Sequence, residues 1–499
     1  MAGEKDEPGG PPPLWLMTEE HFAFLAIKKT DDPLVSPPFA IGSEEYVRQV
    51  VDRWQNGEEP KEESDQVEEP ELKLDDSQES TLSSALTKAV EFSASQSHLI
   101  AVTTAAPTIF NYVHVRSNVL DPIVKNCAPI IDDGTVSVYG MDQNQHEDFD
   151  KARKALLDLR LGIAALPNAT LMSLVASFDA LVTDLVARML RLDKSWMERS
   201  DRKLSFDKLA QAISIDDLIT NAIREELYQF SRGSHDEQAK FIESNFGIAI
   251  RSHWRRWPDY IEVFERRNLI AHGETNFNSR YVSICEGAGH KGSKKLLGQN
   301  IEIRPNYLQQ ALDILTEFAI LLPFAVWRKI STEQEEKAFS HLNEAAYTLI
   351  TNGRYTVAER VLEFALTLTK VCVPVVLIQR LTINSASALR HAGQIDQANA
   401  VLDGVDWSAS SDLFQICMQA VRGNGAEVAK LLPRFANSSE LNAPTFKQWP
   451  CFSFIRDDES VKIAFLETFG VPLSVPASQT PSSETREKDH SESDKSTVH

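Results

Sequence analysis

Cysteine is scarce in this chain, at five in 499 residues, and its placement excludes the common uses. Cys127, Cys285, Cys372, Cys417 and Cys451 are widely scattered, with no CxxC pair and none at zinc-finger spacing from a histidine pair. That excludes a disulfide framework and fits buried, reduced thiols in a cytoplasmic protein. No apolar run approaches the roughly 18 residues of a spanning helix, so no membrane association is expected. MAGEKDEPGGPPPLW lacks a basic stretch followed by an apolar one and does not read as a secretory signal. HExxH and paired Asp/Glu clusters are absent, and GAGHKGSKK (287–295) lacks the GK[ST] spacing of a phosphate-binding loop. Neither a metal nor another cofactor is expected.

Positive charge is also short, with a formal net charge of -21. Its distribution matters more than its total. In residues 1–90 acidic side chains outnumber basic ones more than twofold, whereas residues 151–330 carry 26 basic and 22 acidic. A polyanion responds to the local field, so a nucleic acid is not excluded as a partner of the middle segment.

Composition divides the chain. Residues 1–83 read as Gly/Pro-rich or acidic linker, apart from the amphipathic SEEYVRQVVDRW. Residues 84–150 read as a small accessory segment with α/β character, because HLIAVTTA and GTVSVYG have strand-like β-branched content. From 151 to 330 the periodicity is helical. Leu171, Leu174, Val175, Phe178, Leu181, Val182, Leu185 and Met189 form one apolar face, with Pro167-Asn168 as its expected start. SIDDLITNAIREELYQF predicts a second helix, and Ser234 with Glu237 predicts a capping box opening a third. Pro258 suits the first turn of PDYIEVFERRNLIAH, and Gly273 suits its left-handed end. RYVSICEG and NIEIRP alternate like a β-hairpin, and NYLQQALDILTEFAILLPFAVW predicts a closing helix. Residues 333–470 read as helix pairs turning at Gly353, Gly393 and Gly423/Gly425, with Ala345, Ala358, Ala386 and Ala398 at the close approaches. Residues 474–499 read as a disordered tail. The fold class expected is mainly α, with a mixed N-terminal part.

The chemistry concentrates in FERRNLIAHGE, residues 264–274. A guanidinium grips phosphate through paired charge-assisted hydrogen bonds, and a histidine exchanges a proton near neutral pH. Together they can cleave RNA without a metal. The ribose 2′-hydroxyl attacks phosphorus, arginine stabilises the developing charge, and histidine handles a proton. Arg267 and His272 are five apart, about 140° around an ideal helix, so they converge only if the chain leaves helical dihedrals near Gly273 or a second copy contributes.

Arg267-Asn268-Leu269-Ile270-Ala271-His272 resembles the Rx4–6H motif of the HEPN superfamily, including its preferred Asn after the Arg. The surroundings match as well: an early helix with Asp179 and Asp184, a late helix ending in RRN…H, a hairpin with Tyr281 and a final helix. The resemblance covers 151–330 and is to the bacterial toxin and anti-phage type. It implies a metal-independent endoribonuclease acting as a homodimer, with Arg267 holding the phosphate, His272 moving a proton and Asn268 supporting it. Arg266 would be a second phosphate contact or a solvated charge. Asp179 or Asp184 would pair with the arginine or simply line a polar face. Lys291, Lys294 and Lys295 are either RNA guides or a hairpin tip. Trp254, Arg255 and Arg256 within HWRRW either stack on unpaired bases or anchor the core. The C-terminal helix pairs resemble degenerate tetratricopeptide repeats, which implies a protein partner, such as an antitoxin, or a structural cap. A non-catalytic adaptor of the same superfamily, including the partner of a nucleotidyltransferase antitoxin, and a repeat-based scaffold are the competing functions.

Overall fold

The computed structural model describes residues 78–111, 143–198, 213–368 and 373–473, together with the backbone of two short antiparallel hairpins. Most of the expected N-terminal linker, SEEYVRQVVDRW included, the C-terminal tail, Cys127 and Cys372 lie outside the described residues, but Phe24–Ile27 pairs with Phe39–Gly42 and residues 78–83 belong to a helix. The protein is mostly helical, as its periodicity implies. Residues 69–406 form one compact unit; residues 407–499 belong with 1–68 to another.

The larger unit is built around α1 (Gln78–Phe110) and α2 (Gln143–Leu192). They are followed by α3 (Ile215–Arg232), α4 (His235–Phe246), the short α5 (Ile250–His253) and α6 (Trp257–Ala271). Next come α7 (Ser279–Gly287), α8 (Ser293–Leu296) and α9 (Pro305–Ile330). Helix α9 is the central pillar. Leu308, Leu312, Leu315, Ala319, Phe324 and Trp327 are almost completely buried, and α1, α2 and α6 pack on it. Phe178 of α2 meets Tyr260 and Phe264 of α6 and Phe318 of α9 at ring separations of 5.9–6.0 Å. Burying each ring removes apolar area from water, about 1.5–3 kcal/mol per side chain. This aromatic junction fixes α2 against α6, and the candidate site lies at its edge.

Four local expectations are corrected. HLIAVTTA is the C-terminal half of α1, not a strand, and Leu82, Leu86 and Ala89 earlier in α1 are buried in the core. The stretch continues a helix whose earlier turns are anchored in the core, and that context outweighs β-branched propensity. RYVSICEG forms α7 instead of a strand. Asn278 caps it by accepting from the Tyr281 N–H, and Tyr281, Val282 and Cys285 share a helical face buried under Leu269 and Phe277. NIEIRP consequently has no hairpin partner and makes one isolated bridge, Asn276 to Asn300. Helix α2 begins far upstream of Pro167, which lies inside it. GTVSVYG does contain a strand, Ser137–Tyr139, paired antiparallel with Pro129–Asp132.

The helix pairs follow. Helices α10 (Glu335–Thr351) and α11 (Tyr355–Leu368) turn at Gly353, and α12 (Val375–His391) and α13 (Ile395–Asp403) turn at Gly393. Both glycines have left-handed φ, +73° and +80°, and both turns close with the bond pair of a Schellman motif. Ala345, Ala358, Ala386 and Ala398 are all buried. One continuous core runs from Leu82 to Ala388, so the first pair shares its interior with the helices before it. In the other unit, α14 (Asp412–Arg422) and α15 (Gly425–Leu431) turn at Gly423, φ +79°, and precede α16 (Ala443–Gln448) and α17 (Glu459–Phe469). A Cβ at Gly425 would overlap the Asp458 carboxylate, which would have to shift to admit it.

Two helical stretches, 146–192 and Pro305–Ile330, are long and apolar enough by composition to cross a membrane. The second lies 78% buried as the core pillar α9. A strict count of uninterrupted apolar residues misses both, because each window tolerates scattered charges.

Candidate functional site

Helix α6 carries the opening motif, and its two ends are written in the sequence. Pro258 sits in the first turn. At the other end His272 leaves the helix at φ -89° and ψ 4°, and Gly273 turns left-handed at φ +74°. The Glu274 N–H donates to the Leu269 carbonyl and the Gly273 N–H to the Ile270 carbonyl, both at 3.0 Å. This is a closed Schellman end, not a frayed one. Ile261, Phe264 and Leu269 are buried, while Ala271 and His272 are exposed.

The two arginines have opposite fates. Arg266 reaches back one turn to Glu262, with Nε at 2.7 Å and Nη2 at 2.6 Å from Oε1. Glu262 is 4% exposed. It also accepts from the Tyr281 hydroxyl at 2.7 Å and from the Tyr307 hydroxyl at 2.8 Å. The Arg266 guanidinium lies over the Tyr307 ring at 3.9 Å and near the Phe277 ring at 5.0 Å. Burial opposes its charge, but Tyr307 and Glu262 outweigh it and its pKa is raised. Burial and Glu262 likewise push both tyrosine hydroxyls up. Arg266 is therefore neither a solvated charge nor a free phosphate contact, and Tyr281 is a structural donor on α7. Cys285, beside this network, is pushed up to about 12, chiefly by burial. It is an inert thiol.

Arg267 points to another neighbour. Its Nη2 lies 3.4 Å from Asp179 Oδ2 on α2, a long contact, and its buried Nε has no hydrogen-bond partner. Asp179 is shared. Its Oδ1 is 2.9 Å from His235 Nε2, at the first position of α4. The His235 ring stacks on Phe264 at 3.3 Å. Burial is the largest influence on His235 and holds its imidazole below the usual histidine range; Asp179 opposes this and the Arg267 charge adds to it. The neutral ring donates Nε2–H to Asp179. The chain Arg267–Asp179–His235 joins α6, α2 and α4 in one polar seam.

Of the two aspartates, Asp179 takes the arginine-pairing position. Asp184 binds Lys88 at 3.0 Å and Arg188 at 2.9 Å instead, since five residues along α2 turn it to another face. Asn268 does not orient His272 through its side chain; its amide donates to Glu265 at 3.2 Å, while its carbonyl accepts the His272 N–H. The His272 side chain has no hydrogen-bond partner among the described residues.

The remaining candidates separate cleanly. Lys291, Lys294 and Lys295 are exposed on and beside the short α8. HWRRW faces inward. Trp254 donates to Glu317 Oε1 at 2.7 Å and packs on Tyr260 and Phe318. Arg255 pairs with Glu363 at 2.8 Å, and Arg256 with Asp259 at 2.7 Å. Trp257 is a core anchor, and Trp254 lines a cavity away from the α6 end.

His235 escaped the sequence reading. The capping box places it at a helix start, with Ser234 accepting from the Glu237 N–H and the Glu237 carboxylate accepting from the Ser234 N–H. Its partner lies 56 residues away, and no local pattern announces such a pair. No family model matches the sequence, and the chain matches no curated protein and no solved structure.

Proposed function

We propose that the protein is a metal-independent endoribonuclease of HEPN type, acting as a toxin or abortive-infection effector in anti-phage defence. The observation that carries this reading is the contrast between adjacent arginines. Arg266 is fully engaged, whereas Arg267 keeps an unpartnered Nε and one long contact, beside an exposed His272 on the same helix end. A guanidinium with unused donors gains most from a phosphate. In the reaction the 2′-hydroxyl loses its proton and bonds to phosphorus. The 5′-oxygen departs and takes a proton, leaving a 2′,3′-cyclic phosphate and a 5′-hydroxyl. Arg267 stabilises the charge on the phosphorane oxygens, and His272 moves one of the protons. Asp179 and His235 hold Arg267 in place.

On α6 the rise from Arg267 to His272 is about 7.5 Å with an azimuth change of about 140°. Arg267 is directed toward α2 by Asp179. The two groups reach one phosphate most simply when two copies face each other across their α6 ends, so a homodimer belongs to the proposal. The helix pairs from α10 onward would serve a protein partner, and they remain a tetratricopeptide-like reading.

The test is incubation of purified protein with total RNA in EDTA, compared with Arg267→Ala and His272→Ala. Loss of cutting in both variants supports the assignment; equal cutting by all three, or by none under activating conditions, rejects it. The second reading, a non-catalytic adaptor or antitoxin partner, draws on the Asp179 contact, because a salt-bridged arginine also serves as a structural clamp. It predicts that Arg267→Ala lowers the melting temperature and leaves RNA untouched.

A further inference from the structure

A cavity of 420 Å³ lies away from the α6 end, between the α4–α6 connection, α9 and α11. Its volume is that of a small-molecule site. The walls are largely apolar, with Ile248, Leu321, Leu322, Ala325 and Phe364 among them. Trp254 and Phe318 form an aromatic corner, their rings 5.3 Å apart and tilted by 51°.

One polar group in this wall is unexplained by the fold. Glu317 is 5% exposed. Its Oε1 accepts from the Trp254 indole, but its buried Oε2 has no hydrogen-bond donor. The Arg360 Nη1 stands 3.7 Å from Oε2, an ion-pair distance without a hydrogen bond. A buried carboxylate oxygen without a donor is costly. Burial accordingly pushes the Glu317 carboxyl up.

The lining's own cations do not supply that donor. Arg255 pairs with Glu363, Arg256 lies 2.7 Å from Asp259, and Arg360 stands against Glu317 without a hydrogen bond to it. Burial, with Glu363 and Glu317 nearby, holds Glu359 above the usual carboxylate range. The lining holds three guanidiniums, Arg255, Arg256 and Arg360, against three carboxylates, Glu317, Glu359 and Glu363, so its formal charge is balanced, and what it lacks is a donor for Glu317 Oε2. A phosphate or carboxylate ligand brings no such donor. An ammonium placed against an aromatic corner gains both the ion pair and the attraction of the ring faces.

We propose that this cavity binds a small organic monocation, an ammonium group on a flat apolar body, with Glu317 as its counter-ion and Trp254 and Phe318 as its aromatic walls. The proposal is independent of the ribonuclease reading. Because α11 supplies Glu359 and Arg360 while α9 supplies Glu317, an occupied cavity ties the first helix pair to the central pillar.

Tryptamine, tryptophol and indole-3-propionate share one ring and differ in the charge of the tail, so titration of the full-length protein by calorimetry reads the site directly. The expected result is saturable tryptamine binding, at least about tenfold tighter than tryptophol, with indole-3-propionate weakest. Glu317→Gln should abolish the preference for tryptamine over tryptophol, and Ala325→Phe should weaken all binding by filling the cavity. If Glu317→Gln fails to fold by circular dichroism, Glu317→Asp, which withdraws the carboxylate from the ligand, should narrow the same preference. No saturable tryptamine binding up to roughly 5 mM, equal affinity for the three compounds, or an unchanged preference in the folded glutamate variant overturns the proposal.

Discussion

Replacing Arg266 and Arg267 one at a time by alanine separates structure from function within two adjacent positions. In Arg266→Ala, Glu262 keeps its two tyrosine donors but loses its counter-ion while only 4% exposed. Removing one partner of a buried pair costs about 3–5 kcal/mol. The lost stacking of Arg266 on the Tyr307 ring adds about 0.5–2 kcal/mol. In a folding unit of this size each kcal/mol shifts the melting temperature by roughly 2–3 °C, so the loss should be about 7–21 °C. Arg267→Ala removes one 3.4 Å contact from a side chain that is 23% exposed. Screened pairs of that kind contribute about 0–1 kcal/mol, so its melting temperature should move by less than about 3 °C. Activity should divide the other way. Arg267→Ala should lower the cleavage rate about 10²–10³-fold, the loss typical of one charge-stabilising group, with Arg266→Ala retaining activity at temperatures where it is folded. Scanning calorimetry paired with RNA cleavage at 20–25 °C reads both. A stable Arg266→Ala, or an Arg267→Ala as destabilised as Arg266→Ala, would refute the division of labour.

Three further outcomes concern the seam and its surroundings. Lowered in the folded state, the His235 pKa lies below its unfolded value near 6.5, so the unfolded chain binds more protons below that pH. Stability should therefore fall as pH drops below about 6.5, and His235→Gln should show a shallower loss in urea titrations at pH 7.5 and 5.5; an identical slope would contradict the assignment. Gly273→Ala meets no atom within 4 Å but must adopt φ +74°, so it should cost about 1 kcal/mol and disturb His272, lowering cleavage more than stability accounts for. Replacing Lys291, Lys294 and Lys295 by Gln should weaken RNA binding and reduce the salt dependence by up to about three phosphate contacts, while an unchanged slope removes them from the RNA path.

What the sequence made legible were mostly local devices. Ser234 with Glu237, Pro258, Gly273, Gly353 and Gly393 each act within a few residues, and each appears where the pattern placed it. The same holds for the buried face of Leu171, Leu174, Val175 and Phe178. The readings that failed depended on distant partners. HLIAVTTA and RYVSICEG carry β-branched residues yet are helical, the first as part of a long helix that packs on α9. In RYVSICEG a signal was present: Asn278 as a cap and apolar positions 281, 282 and 285 at helical spacing. Arg266 looked like a surface charge because Tyr307 lies 41 positions away and nothing near it announces a buried carboxylate. The pairing of Asp179 with both Arg267 and His235 spans three helices and had no local sign beyond the residue types.

The central claim is that Arg267 and His272 direct a 2′-hydroxyl attack on RNA. Its most direct measurement is the chemistry of the product ends, made in EDTA on RNA cut by the wild-type protein, Arg267→Ala and His272→Ala. The account predicts 2′,3′-cyclic phosphate and 5′-hydroxyl ends from the wild-type protein and almost no such ends from either variant. Ends bearing a 3′-hydroxyl and a 5′-phosphate, or cyclic ends produced equally by all three proteins, would contradict it.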